Sequence, residues 1–274
     1  MALSLLEQLC YSTVRIECEN GYGQNNFGTG FFFQYEPEGK APVGTIVTNK
    51  HVVQGMTTGK FIMTAATEAG QPINTLHYPI TVSDIHRYIR HHPSPDVDLC
   101  ALPFAPVLKA AEKSGIRLFY QSLNRNFMPT GEQLSGLDVS EDILMIGYPN
   151  GLWDSHNNRP ILRRGATATH PNLDYGGKKE FLIDAACFPG SSGSPVLRYQ
   201  ASGYRDENGG LFKEPSRVLL LGVLYGGPQY MISGEFHPAP HINAAQPAPF
   251  LRIPNNLGLV LRAERILELQ ALFE

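Results

Sequence analysis

The longest apolar run in this chain, Val218 to Tyr225, falls far short of the roughly 18 residues that a membrane-spanning helix needs. All other apolar segments are shorter and are punctuated by glycine, proline, asparagine and serine. A chain written this way must build its core from many short strands. Thr13-Val14-Arg15-Ile16 puts Val14 and Ile16 on one face. Gly28 to Phe33, Gly44 to Thr48, Phe61 to Ala66, Tyr78 to Val82 and Val97 to Leu102 continue a first set of strands. Ile143 to Ile146, Ala166 to Thr169, Glu180 to Asp184, Pro195 to Tyr199 and Val218 to Tyr225 form a second set. Residues 2–10 read as a short helix, and Val107 to Ser114 as a helical turn stopped by Gly115, in a stretch that suits a linker. From about residue 256 a closing helix is expected, with Leu259, Val260, Ala263, Ile266, Leu267 and Ala271 on its apolar face. The expectation is an all-β chain of barrel architecture in three parts: residues 1–120, residues 121–254 and a helix over 255–274.

Composition narrows the function classes. Charged residues make up 17% and hydrophobic ones 42%, which is globular rather than disordered. A net charge of −3 gives no electrostatic reason to expect nucleic acid or an anionic membrane as partner. Arg163-Arg164 and Lys178-Lys179 read as solvated loop ends. No basic residue precedes Arg15 and Glu7 interrupts the first apolar patch, so no secretory leader is read here. The four cysteines have no Cys-x-x-Cys spacing, and Cys100 and Cys187 sit in apolar runs as small packed hydrophobes. A reduced, cytoplasmic protein is expected.

One stretch carries chemistry. Phe188-Pro189-Gly190-Ser191-Ser192-Gly193-Ser194-Pro195 is a turn in which Gly190 lets its own N–H and that of Ser192 point into one hole. Ser192 is the candidate nucleophile, since a hydroxyl needs a base and an oxyanion site to react. Taken alone, the stretch serves equally well as a surface turn. A base and an acid are available elsewhere: His51 follows a strand, and Asp98, with Asp96 as rival, opens one. His91, His92, His237 and His241 lack carboxylates or cysteines in metal-ligand spacing and read as loop histidines. The run Phe31-Phe32-Phe33 reads as strand core.

The pieces Thr48-Asn49-Lys50-His51-Val52, Asp98-Leu99-Cys100-Ala101-Leu102 and Gly190-Ser191-Ser192-Gly193-Ser194-Pro195 occur in the order His, Asp, Ser. With Gly28-Thr29-Gly30-Phe31 ahead of the histidine, and Gly147-Tyr148-Pro149-Asn150-Gly151 and Asp184-Ala185-Ala186 between the acid and the serine, the chain resembles the bacterial trypsin-like serine peptidases of the chymotrypsin fold. The likeness is greatest to the protease domain of HtrA-type enzymes. It implies two packed β-barrels with His51, Asp98 and Ser192 as catalytic triad in the cleft, and the N–H groups of Gly190 and Ser192 as oxyanion hole. It prefers Asp98 to Asp96, because the family's acid directly precedes a strand of the Leu/Ile-Ala-Leu type, which Asp98-Leu99-Cys100-Ala101 fits and Asp96 does not. No metal or cofactor is implied, and the partner is a protein or peptide substrate. Ser191 stands where secreted trypsins carry an activating Asp, so regulation is expected from ordering of loops 152–160, 171–179 and 226–250, or from an activating partner protein. HtrA enzymes usually continue into a PDZ domain, for which the chain leaves no room before Glu274. Ala186 stands where trypsin has its specificity Asp. With Leu224, Tyr225 and Gly226 on the opposite wall, an apolar substrate pocket for small or medium aliphatic side chains is expected. The alternative is a catalytically latent module that holds a peptide on the same fold.

Overall fold

The computed structural model describes residues 3–200, 204–205, 211–212, 217–233 and 250–274. It begins with α1 (Leu5–Leu9), whose entry is fixed by a capping box: Ser4 Oγ accepts from Glu7 N–H while the Glu7 carboxylate accepts from Ser4 N–H. The first half then forms one antiparallel eight-stranded sheet. Its strands are β1 (Thr13–Glu19), β2 (Asn25–Tyr35), β3 (Val43–Thr48), β4 (Thr58–Ala66), β5 (Pro72–Ser83), β6 (Arg90–His91), β7 (Cys100–Pro103) and β8 (Leu118–Phe119). They lie in the order β5-β4-β1-β2-β3-β7-β6, with β8 on β4. The short helix α2 (Lys50–Val53) follows β3, and α3 (Ala105–Lys113) follows β7, ending at Gly115 in a left-handed conformation (φ 67°).

After α4 (Gly131–Ser135), the second half closes into a barrel of six strands in the order β10-β11-β18-β15-β12-β9. These are β9 (Asp142–Gly147), β10 (Ile161–Thr167), β11 (Glu180–Asp184), β12 (Pro195–Gln200), β15 (Arg217–Gly226) and β18 (Leu257–Arg262). Two small hairpins branch from it: β13 (Tyr204–Arg205) with β14 (Leu211–Phe212), and β16 (Gln229–Ser233) with β17 (Phe250–Pro254). The chain finishes with α5 (Glu264–Leu267) and a 3₁₀ turn over Gln270–Phe273. No described helix is long and apolar enough to cross a membrane. All four cysteines are free thiols.

Strand β2 explains how the halves are joined. Its side chains alternate between two cores, as a strand's period of two requires. Phe31, Phe33 and Tyr35 enter a cluster shared with Leu144, Ile146, Val223 and Leu261 of the barrel and with Ile266 and Leu269 of the tail. Phe32 turns the other way, against Phe104 and Tyr120 in the sheet's own core, with ring centroids 5.0 and 5.1 Å away. The tail is tied in by the Tyr35 hydroxyl, which donates to Ile266 C=O at 3.0 Å, and by stacking of Tyr35 on Phe273.

The all-β class stands, and the differences from the sequence reading have local causes. The closing helix begins only at Glu264. Residues 257–262 are strand because their partners on both sides, β11 and β15, need them to close the barrel. Gly258 there packs directly on Ile183, Leu224 and Cys187. Helical periodicity and a strand with both faces covered look alike in so short an apolar run. Arg163 and Arg164 are in β10, not at loop ends, and the Arg163 guanidinium lies over the Phe188 ring at 5.0 Å. The stretch 226–250, expected as loop, starts at the last residue of β15, contains β16 and ends in the first residue of β17. His237 and His241 lie outside the described residues. His92 is buried, with Nδ1 accepting from Ser94 N–H and Nε2 3.1 Å from Glu268 Oε2.

Because Phe31 is fully buried in the shared core, Phe31→Ala should lower unfolding free energy by about 3–5 kcal/mol. Leu173→Ala, at a side chain 64% exposed, should stay within about 0.5 kcal/mol. Urea denaturation of the two variants measures both.

Candidate active site

Strand register brings the imidazole to the carboxylate. Thr48 at the end of β3 pairs with Cys100 at the start of β7, so the residues just after Thr48 and just before Cys100 are neighbours. Asp98 grips His51 twice: Oδ2 lies 2.5 Å from the ring Nδ1, and Oδ1 accepts from the His51 backbone N–H at 3.1 Å. With Nδ1–H held by the carboxylate, Nε2 is the ring nitrogen left to exchange a proton. Asn49 reinforces the pair by donating from Nδ2 to Asp98 C=O at 2.7 Å. From β2, Asn26 Nδ2 donates to the carbonyls of His51 and Val52, both at 2.9 Å. Lys50 anchors the approach to Asp98 by donating to Ser94 C=O at 3.0 Å. Asp96 is exposed and has no such partner.

The serine turn belongs to the barrel and is pressed against β2. Ser192 C=O accepts from Thr29 N–H at 2.9 Å, Gly190 C=O accepts from the Thr29 hydroxyl at 2.9 Å, and that hydroxyl accepts from Tyr148 N–H at 3.1 Å. Thr29 C=O in turn accepts from the Thr48 hydroxyl at 2.7 Å. Gly193, at φ +88°, fits here only because a Cβ would collide with Thr29 C=O and approach Thr48 Oγ1 to 2.6 Å. Gly190, at φ +85°, lies where a Cβ would come within 2.6 Å of Tyr148 C=O.

The carbonyls of residues 188–192 each accept a hydrogen bond. Pro189 C=O accepts from Asn150 N–H at 2.6 Å, and Ser191 C=O from Ser194 N–H at 3.0 Å. In a trans peptide the N–H points opposite to the C=O. The N–H groups of Gly190 and Ser192 therefore point away from these anchors, and neither has a protein acceptor among the described residues. Ser192 Oγ makes no hydrogen bond among the described residues, to His51 or to any other group. Thus His51 and Asp98 are in contact, while Ser192 stands on the facing turn with its hydroxyl unengaged.

A cavity of about 220 Å³ opens beside Ser192. Leu224 and Gly226 line it, together with Cys187, Phe188, Gly227 and Leu257. Ala186 and Tyr225 are not on its wall, and the Tyr225 hydroxyl donates to Glu180 at 2.7 Å. Cys187 packs against the barrel core beside Gly258, as expected, and also lines this cavity. Burial pushes its thiol up to about 11, against a smaller downward pull from Arg163. A thiol nucleophile needs the opposite shift. A larger concavity of about 640 Å³, between Ala66–Gly70 and α3, is lined by no serine, cysteine or histidine. Thr29, Asn26 and Cys187 were not singled out as site residues by the sequence reading. The signal for Thr29 was the glycine on either side: a Cβ on Gly28 or Gly30 would come within 2.5 Å of Val52 or Ile46, so Thr29 must face the other way.

Known proteins share parts of this sequence and fold. A sequence profile described as trypsin-like peptidase domain matches residues 28–202. The fold is similar to that of an HtrA-type protease AlgW with tripeptide, at 16% identity and TM-score 0.49, covering 98% of this chain and 62% of that one. It is also similar to the active form of the Rv3671c protease from M. tuberculosis, at 17% identity and TM-score 0.47, covering 96% and 80%. This chain therefore spans less than two thirds of the length of the AlgW chain. No curated protein sequence gives a match.

With its thiol pushed up to about 11, Cys187 should react with iodoacetamide at pH 8 at least about 10-fold more slowly than a free thiol of ordinary pKa, the smaller thiolate fraction being partly offset by a more nucleophilic thiolate. Peptide mass spectrometry over a time course reads that rate.

Proposed function

The chain belongs to the trypsin-like peptidase family, and on that premise we propose that it is a serine endopeptidase acting through an acyl-enzyme. The observation that supports this most is the two-point grip of Asp98 on His51, which fixes the tautomer a general base needs. Ser192 Oγ attacks the substrate carbonyl carbon as His51 Nε2 takes its proton. The resulting oxyanion is stabilised by the N–H groups of Gly190 and Ser192, one such donor contributing about 3 kcal/mol to the barrier reduction. His51 returns the proton to the leaving amine as the C–N bond breaks. Water then attacks the ester, again losing its proton to His51, and Ser192 recovers its hydrogen as the acid leaves.

The cavity beside Ser192 is the proposed site for the side chain preceding the cleaved bond. It carries no carboxylate among the described residues, and Arg163 stands over Phe188 at its wall. Cationic side chains are disfavoured there, and small or medium aliphatic ones fit.

Loop 152–160 is the described segment best connected for regulation. It is pinned to the first sheet by Asn158, whose Nδ2 donates to Thr64 Oγ1 at 3.0 Å, by Arg159 stacked over Tyr11, and by Trp153 under Arg15. It adjoins Asn150, whose N–H holds Pro189 C=O, so shifting the loop loosens the oxyanion turn. A partner protein that moves this loop would act by the same route.

One observation favours a second reading. The Ser192 hydroxyl is not hydrogen-bonded to His51, as befits a latent module that holds a peptide without cutting it. A fluorophosphonate probe separates the two. The enzyme reading expects labelling of the wild type at Ser192 and none of Ser192→Ala; a wild type that stays unlabelled supports the latent module. Asp98→Asn should lower kcat about 10⁴-fold, measured on a fluorogenic peptide. Among peptide substrates, cleavage after Val, Ala or Leu should outrun cleavage after Arg, and the reverse order would overturn the pocket assignment.

A further inference from the structure

Gly190 lies between two peptide units that a glycine can rotate at little cost, and the oxyanion hole exists only while the first of them keeps its N–H turned inward. Something outside the turn has to stop that rotation. The Pro189–Gly190 unit is held by Asn150 N–H on its carbonyl. The next unit, Gly190–Ser191, is held at its N–H by Phe188 C=O within the turn at 3.0 Å and at its carbonyl by the Thr29 hydroxyl at 2.9 Å, a side chain that comes from the other half of the molecule.

We propose that Thr29 is a positioning residue for the oxyanion hole, its hydroxyl locking the Gly190 carbonyl and thereby the orientation of the Gly190 and Ser192 N–H groups. The inference rests on the serine-peptidase reading. Three facts carry it. Thr29 is fully buried, so water does not compete for its hydroxyl. Tyr148 N–H occupies the oxygen as acceptor, so the hydroxyl proton has a fixed destination, Gly190 C=O. Thr29 N–H also holds Ser192 C=O, so one residue grips the turn on both sides of Ser191. The Ser191 side chain adds no second anchor from outside the turn, since its buried Oγ has no partner among the described residues; its N–H is engaged only inside the turn, by Phe188 C=O. Thr29 touches neither substrate nor the reacting atoms. It acts through the turn.

The test compares Thr29→Val, which keeps the shape and removes the hydroxyl, with Thr29→Ser, which keeps the hydroxyl and removes a methyl. Thr29→Val should lower kcat about 10- to 100-fold with KM little changed, as expected for a donor displaced rather than deleted. Its affinity for a peptide aldehyde, which forms a tetrahedral adduct, should fall in parallel. The pH midpoint of kcat/KM should not move, because the His51–Asp98 contact is untouched. Thr29→Ser should retain kcat within a few-fold. If Thr29→Val does not fold, Thr29→Cys replaces it, and the weaker thiol donor should give a kcat clearly below that of Thr29→Ser. Wild-type kcat in Thr29→Val, equal kcat in the Ser and Cys variants, or a loss confined to KM would overturn the assignment. A wild type that neither hydrolyses peptides nor takes the fluorophosphonate probe would instead remove the peptidase reading on which it rests.

Discussion

The two halves of this protein meet backbone to backbone. At the centre of the contact Gly193 lies against the Thr29 carbonyl with no room for a side chain between them, and Thr29 N–H and Ser192 C=O are hydrogen-bonded across the seam. Such an approach is possible only where one chain lacks a Cβ, and it needs partners for the backbone amides and carbonyls it buries, because buried amides without partners cost about 1–3 kcal/mol each. The Thr48 and Thr29 hydroxyls supply the partners that sheet pairing leaves out. The apolar core shared by Phe31, Phe33, Leu144 and Val223 then presses the halves together around this seam.

That arrangement divides the labour between stability and chemistry. His51 and Asp98 are fixed by hydrogen bonds within the first sheet, through the register of β3 on β7 and through Asn49 and Asn26, while Val97 and Leu99 on either side of Asp98 pack into the core shared with the barrel. The serine turn is fixed within the barrel by Asn150, Leu224 and its own reverse turns. Neither unit can adjust the other's geometry except through the seam. Small relative movements of the halves would therefore change the distance between Ser192 and His51 while leaving the imidazole–carboxylate contact as it is. The unengaged Ser192 hydroxyl is what such independence looks like at rest, since catalytic hydrogen bonds in ligand-free sites are often completed only when substrate arrives.

What was legible in the sequence follows from this division. Strands with one clear alternation, such as Thr13–Ile16, and turns marked by obligatory glycine, such as Gly190 and Gly193, could be read directly. So could the His51 and Asp98 segments, because each sits at the mouth of a strong strand. The strand over 257–262 was not legible: Leu-Gly-Leu-Val-Leu-Arg satisfies a helical face as well as a strand, and only barrel closure decides between them. The apolar neighbours of Cys187 announce its packing on the barrel core, but say nothing of the cavity it also lines. Thr29 was hidden for a different reason. A threonine in a strand needs no explanation beyond its β-propensity, and the partners that give its hydroxyl a purpose lie more than a hundred residues away.

The same reasoning accounts for the glycines flanking Thr29. Gly28 and Gly30 are required because β2 lies tight on Val52 and Ile46, and this tightness leaves the threonine no rotation about the strand that would turn its hydroxyl elsewhere. The Gly-Thr-Gly pattern is then one device rather than three residues: two absent side chains set the depth of the strand, and the one that remains reaches across to the opposite turn. A bulkier residue at either glycine would lift β2 away from its own sheet and toward the barrel. The damage would register first at the carbonyls of Gly190 and Ser192, on the far side of the cleft from the substitution.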